Sequence, residues 1–320
     1  MAFADGISKK VDELGSGFAW EVGPEGNEDS LTLSGEGDPH RQLLTLYWLE
    51  KAPVVPGWRF HPARQPDLTK GLQLVIGEKQ FDGKGIWVAP TVNREEENFD
   101  LAVWHPEWVS LEEGQRWTML FIFLDMQLGE YGTQQWVGKI EFSEGQLKEA
   151  MSLEELPGFI AETCAKEKWE SRAPGETHLL YQLQPHDRFA RGDVAFGTTS
   201  HMRLINDYLE ADGEWEDPLA GTGADYVYLA MSIEHLPKGQ EVETRGVFED
   251  ALEEGLRGEG LGRLLGGATG SRFGYIDLLI FDGERSIAAI ERILKEKNAP
   301  KGMQLCYFAK EKRRNGKTVS

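Results

Sequence analysis

The stretch LGRLLGGATGSRFGYIDLLIFD, residues Leu261 to Asp282, decides how the C-terminal third of this chain is read. Two apolar runs, LGRLL and YIDLLIF, flank GGATGSRFG, the densest glycine cluster in the sequence. A phosphate-binding loop would place a helix N-terminus after the glycines, because its aligned N–H groups hold the anion. Here a β-branched and aromatic run follows instead, and the GxxxxGK[ST] spacing is absent. The glycines therefore read as a turn or bulge that needs positive φ between two strands. The alternative is an anion nest in the 266–274 loop, with Gly266, Gly267 and Gly270 freeing the backbone and Thr269, Ser271 and Arg272 adding donors.

Working outward, DYVYLAMSIEH precedes this stretch as a strand and TRGVFEDALEEGLRGEG as a helix ended by its glycines. ERSIAAIERILKEKN follows as an amphipathic helix with Ile287, Ile290, Ile293 and Leu294 on one side, and MQLCYFA closes as a strand. The expected order over about 224–310 is β-α-β-β-α-β, the split unit of a ferredoxin-like domain with both helices on one face of an antiparallel sheet. Period-2 alternation sends Val227, Leu229, Met231 and Ile233 one way and Tyr226 and Tyr228 the other. In the next strand Ile276, Leu278 and Ile280 oppose Tyr275, Asp277, Leu279 and Phe281. Tyr226, Tyr228, Tyr275 and Phe281 thus share the side away from the helices, as a candidate binding face or as a surface packed by other parts of the chain. Asp277, in mid-strand, is expected on a solvated face or paired with an arginine such as Arg263.

The first half reads as a second α+β domain. FAWEV and SLTLS look like strands around a turn, and Asp38–Pro39 opens a helix carrying Leu43, Leu46 and Tyr47. Short strands are expected in WRFHPARQP, GLQLVIGEKQ, GIWVAPTV and FDLAVWHP. A helix from Ser110 carries Trp117, Leu120, Phe121, Leu124 and Leu128 at helical spacing, and WVGKIEF returns to alternation. Ser152 and Glu155 have capping-box spacing before another helix. SRAPGE (171–176) is the expected linker, giving an acidic α+β domain over 1–170 and a second over 171–320.

Charge separates the two parts. The chain has 320 residues and a net charge of −20, yet residues 218–320 hold 15 Lys and Arg against 15 Asp and Glu. The excess of acid lies wholly in residues 1–217, with 19 Lys and Arg against 39 Asp and Glu. An acidic surface repels phosphate backbones and favours a basic partner, so direct nucleic-acid binding is not expected. The aromatic face argues no differently, since no K/R-G-F/Y-rich ribonucleoprotein motif accompanies it. The longest strongly apolar run, Met119–Leu124, is far below the roughly 20 residues a membrane helix needs. With no leader-like apolar segment near residue 1, a cytoplasmic protein is the expectation.

Catalytic spacings are missing. The seven histidines form no HxxxH, HxH or HExxH pattern, and Gly-x-Ser-x-Gly does not occur. Cys164 and Cys306 are too few for a disulfide framework or a thiolate metal site. No metal and no cofactor are expected. The richest polar cluster is QPHDRFARGD, which gathers His186, Asp187, Arg188, Arg191 and Asp193 as an alternative site.

The order of elements and the sequence GRLLGGATGSRFGYIDLLIFD resemble a bacterial family whose C-terminal part is similar to the regulator of ribonuclease E activity B. In that family an N-terminal domain of unknown function precedes it, and APVVPGW (52–58) is similar to that domain. The resemblance implies a ferredoxin-like fold and a non-catalytic, cytoplasmic inhibitor that binds a protein. Acidic toxin-neutralising immunity proteins supply a further analogy. The expected function is regulatory or immunity-like protein binding through an acidic surface, to a basic partner such as a nuclease or toxin. The alternative is a small-anion or nucleotide-binding protein or enzyme that uses the 266–274 loop and the His186–Asp193 cluster.

Overall fold

The computed structural model describes residues 2–67, 73–76 and 79–320. Gly71, Leu72, Gly77 and Glu78, part of the expected strand GLQLVIGEKQ, lie outside the described residues. The chain divides into two compact units. One, here the acidic unit, comprises Ala19–Asp38 and Leu44–Ala173. The other, the C-terminal unit, takes Pro174–Ser320 together with the segment up to Phe18 and Pro39–Leu43. That N-terminal segment forms α1 (Ala2–Glu13).

In the acidic unit, β1 (Ala19–Glu25) and β2 (Glu28–Ser34) form an antiparallel hairpin. Helix α2 (Pro39–Lys51), of which Pro39–Leu43 counts with the C-terminal unit, then leads to β3 (Trp58–His61), which lies parallel to β2. The short pair β4 (Gln73–Ile76) and β5 (Lys79–Asp82) is followed by β6 (Trp87–Asn93) and β7 (Asn98–Trp104). Next come α3 (Glu113–Leu128), α4 (Glu130–Trp136), β8 (Val137–Phe142), β9 (Met151–Ser152) and α5 (Leu156–Glu167). Strands β8, β7, β6 and β9 lie in that order in one sheet. Alternation on β7 buries Phe99, Leu101 and Val103 against Met119, Leu120, Phe123 and Leu124 of α3. The Glu112–Gln115 capping box starts α3, and the box of Ser152 and Glu155 precedes α5. Pro157 falls in the first turn of α5, where its missing N–H has no helical acceptor to serve.

The buried face of α3 differs from the expected one. Phe121 and Ile122 are 45% and 37% exposed, and Met119 and Phe123 take the interior positions. The buried stripe runs through Met119, Leu120, Phe123 and Leu124, at i, i+1, i+4 and i+5, and helical geometry turns Phe121 and Ile122 away from it.

In the C-terminal unit, β10 (Leu179–Gln182), β11 (Val194–Thr199) and α6 (Met202–Glu210) precede β12 (Asp225–Ser232). Then follow α7 (Glu241–Glu259), β13 (Gly262–Gly270), β14 (Phe273–Ile280), α8 (Gly283–Glu296), β15 (Gln304–Tyr307) and β16 (Lys317–Thr318). All neighbours are antiparallel in the order β10-β11-β13-β14-β12-β15-β16. Val227, Leu229, Met231, Ile276, Leu278 and Ile280 form one core with Phe248, Leu252 and Leu256 of α7 and Ile290 and Leu294 of α8. Both helices therefore cover one face of the sheet. Gly255 lets them close up, since a Cβ there would stand 2.5 Å from Ile293 Cδ1.

The glycine cluster is strand, with only Ser271 and Arg272 left to turn between β13 and β14. The register between these strands slips from Leu264 to Gly266, and Gly266 has φ 150°. A Cβ at Gly266 would lie 2.0 Å from the carbonyl oxygen of Thr198 on β11. The glycines thus buy a bulge and a close neighbouring strand, one that the sequence did not announce.

Candidate functional site

A cavity of about 630 Å³ opens in the acidic unit between the loop after β2, α3, α4 and β8. Glu36, Asp125 and Glu130 bring three carboxylates to it, and Phe121, Ile122 and Val137 line an apolar side. The elements explain each position. Gly129 (φ 74°) stops α3 and lets Glu130 start α4 immediately, with Glu130 N donating to Arg64 O at 3.0 Å. Glu130 is 2% exposed, and its carboxylate accepts from Ser34 Oγ at 2.7 Å and from Gly37 N at 3.0 Å. It thereby holds the loop that presents Glu36.

Among the described residues Arg64 is the one cation lining the cavity, and it is already engaged. Its Nε donates to Glu21 at 2.6 Å and its Nη2 to Glu36. Burial opposes the charge of Arg64, but Glu21 and Glu36 more than offset it and hold the guanidinium protonated. Asp125 fares otherwise. Burial pushes its carboxyl up to about 6, with Glu130 and Glu36 adding to the effect and the Thr133 hydroxyl and Arg64 opposing it. A carboxyl that ionises near neutrality beside an apolar wall can accept a cationic group and gain from the neutralisation. No cluster of His, Cys, Asp and Glu suited to a metal ion occurs among the described residues.

The residues singled out in the sequence lie in the C-terminal unit. Tyr226, Tyr228 and Tyr275 are 3–5% exposed, and Phe281 is half-buried. The face away from α7 and α8 is filled by the chain itself. Tyr208 of α6 meets Phe308 at 5.2 Å, and Phe308 meets Tyr228 at 5.1 Å. Arg191 enters this layer from a left-handed backbone position (φ 64°). Its guanidinium forms two hydrogen bonds with Asp277, which is fully buried, and lies 4.8–5.1 Å from the rings of Tyr228, Tyr275 and Phe308. Asp277 therefore pairs with Arg191. Arg263, the partner the sequence suggested, donates to Gly175 O at 2.7 Å.

The hairpin 266–274 also finds its partner within the unit. Asp193 Oδ2 accepts from Arg272 N at 2.9 Å and from Phe273 N at 3.2 Å, and Ser271 N donates to the Asp193 carbonyl at 3.0 Å. Gly270 makes room for that carboxylate, since a Cβ there would lie 2.4 Å from it. Thr269 Oγ1 accepts from Arg245 Nη1 at 2.8 Å, and a Cβ on Gly267 would collide with Glu249, the ion-pair partner of Arg245. The donors of an anion nest are present, and an aspartate of the same chain occupies them. Of the His186–Asp193 group, Arg191 and Asp193 are buried, while Arg188 reaches out to Asp212 at 3.4 Å. His186 accepts from Arg188 N at 3.3 Å, and Asp187 is exposed.

A histidine pair went unnoticed in the sequence. His201 Nε2 lies 2.9 Å from His40 Nδ1, and Tyr226 Oη lies 3.1 Å from both nitrogens. His40 Nε2 is 3.2 Å from Asp207. Burial first, then His40, Arg263 and Arg203, push His201 down to about 3, so it is neutral at physiological pH. The two histidines stand 161 positions apart, a separation no spacing rule covers. Glu36, Asp125 and Glu130 escaped notice for a similar reason: three carboxylates among 54 Asp and Glu carry no local signature.

No protein-family model, no curated protein and no solved structure matches this chain.

Proposed function

We propose that this is a non-catalytic, cytoplasmic binding protein whose acidic unit receives a basic side chain of a protein partner. The observation that carries the reading is the cavity lined by Glu36, Asp125 and Glu130 beside Phe121 and Ile122. Lysine and arginine bury an apolar stem and keep a charged head, so carboxylates beside an apolar wall complement both ends. Arg64 does not compete for the partner's charge with a free guanidinium, because Glu21 and Glu36 already hold it. The unit as a whole has 27 Asp and Glu against 13 Lys and Arg, a field that would draw in a basic protein such as a nuclease or toxin. The free thiols of Cys164 and Cys306 accord with a reducing compartment.

The C-terminal unit adds to this reading. Its strands β13-β14-β12-β15 and its helices α7 and α8 on one face support a ferredoxin-like core with β10, β11 and β16 added at the edges. An inhibitory role like that of the ribonuclease regulator is part of the same proposal. Capture of a partner from the native host at low ionic strength tests the proposal. The partner should be basic, should be lost at high salt, and should be lost with the Phe121→Ala and Asp125→Asn variant. A partner that binds that folded variant undiminished, or no partner at low salt, refutes the reading.

A further inference from the structure

A second cavity of the acidic unit, about 490 Å³, is lined by the rings of Trp104, His105, Trp108 and Phe142, by Arg116, and by Val103, Ser143 and Glu144. Rings form most of its side-chain wall, with Arg116 and Glu144 as its two charged members. His105 stacks on Trp108 with centroids 5.3 Å apart and planes 24° apart, and Trp108 meets Phe142 edge-on at 5.7 Å. The Arg116 guanidinium lies 5.5 Å from the centre of the Phe142 ring.

Arg116 is unusual for this unit. Arg59, Arg64, Arg94 and Arg172 each have a carboxylate within 4.0 Å. Arg116 has none among the described residues, although acids outnumber bases about twofold around it. Its Nε is buried without an acceptor, and so is Nε1 of Trp108, a residue only 3% exposed. His105 contributes its ring and not a donor: its Nδ1 accepts from Glu107 N at 3.1 Å, and its Nε2 lies against Gly85, where a Cβ would stand 2.3 Å away. Two groups that only donate, Arg116 and Trp108, thus border one aromatic cavity, where buried donors ordinarily find partners.

We propose that this cavity binds a small aromatic carboxylate, with its anionic end on Arg116 and its ring between Trp108 and Phe142. The guanidinium offers paired N–H groups that match the two oxygens of a carboxylate, and an aromatic body suits ring walls where a compact inorganic anion would leave them bare. The site is separate from the acidic cleft and takes a ligand of opposite charge, so either proposal stands if the other fails.

Titration calorimetry and thermal shift on the full chain test it, with benzoate, benzamide and benzylamine as probes. Benzoate should bind and raise the melting temperature, benzamide should bind at least about tenfold more weakly, and benzylamine should not bind. Arg116→Gln should weaken benzoate by about tenfold or more, and Arg116→Lys should recover part of the loss. Arg116 is only partly buried, so circular dichroism should show both variants folded. Absence of benzoate binding up to about 20 mM, equal binding of benzoate and benzamide, or an unchanged affinity in folded Arg116→Gln overturns the proposal.

Discussion

Asp125 is drawn out of water with the Thr133 hydroxyl and the charge of Arg64 as its compensation, and its carboxyl rises to about 6. An unfolded chain would release that proton near pH 3.9. Between those values the folded state holds more protons, so this group favours folding at low pH and loses its contribution as pH rises through about 6. Above that, an ionised Asp125 is a liability. Asp125→Asn keeps the shape and removes the charge, so at pH 8 it should stabilise the acidic unit by about 1–3 kcal/mol. The gain should vanish below about pH 4, as read by urea unfolding at both pH values. Asp277 meets burial differently. Arg191 supplies two hydrogen bonds and a full positive charge, and three rings shield the pair. Such a pair does little for net stability but fixes how the layer beneath the sheet is arranged.

Among the elements, β13 and α7 use glycine for opposite reasons. Gly266 on β13 has no room for a Cβ, and its φ of 150° suits no other residue. Gly246 on α7 has nothing within 4 Å of where a Cβ would go. Gly266→Ala should therefore cost about 3 kcal/mol or more, by clash and backbone strain together. Gly246→Ala should instead stabilise by roughly 0.5–1 kcal/mol through helix propensity. Thermal melts of the two variants should move in opposite directions. The same strand shows what was legible in advance. Helices α7 and α8 announce themselves by period, because one face of each is apolar, and strands β12 and β14 by short apolar and aromatic runs that are buried on both faces. The glycines of β13 imitate a loop, since the reason for them lies on β11 and α7, far away in sequence. VAFGTT, which becomes β11, has too few large apolar residues to stand out. The acidic cleft was illegible altogether: only the turn at Gly129 and the packing of α3 bring Asp125 and Glu130 to the loop of Glu36.

For the whole molecule, the main departure from a simple two-domain reading is that the C-terminal unit is discontinuous. The expected linker, 171–176, brackets the change of unit at Ala173 and Pro174, but residues up to Phe18 and Pro39–Leu43 belong with the later part. A fragment starting at Pro174 would keep the seven-stranded sheet and lose His40. Tyr226, His201 and Asp207 would then lack a common partner in a buried place. The fragment 174–320 should consequently be less stable than the same unit in the full chain by about 1–3 kcal/mol. Hydrogen exchange of β12 amides in the two proteins measures that difference.

The separation of His40 from His201 also has a meaning in time. A ribosome adds about 5–20 residues per second, so the 161 positions between them take roughly 8–30 s to synthesise. Nearly all of the acidic unit emerges in that interval, carrying its own core. Until His201 and Tyr226 are made, His40 cannot form the contacts it makes to them in the folded unit. Only when His201 and Tyr226 arrive does it enter the interior. The burial of His40 therefore waits on residues made well after it, with most of the acidic unit made in between.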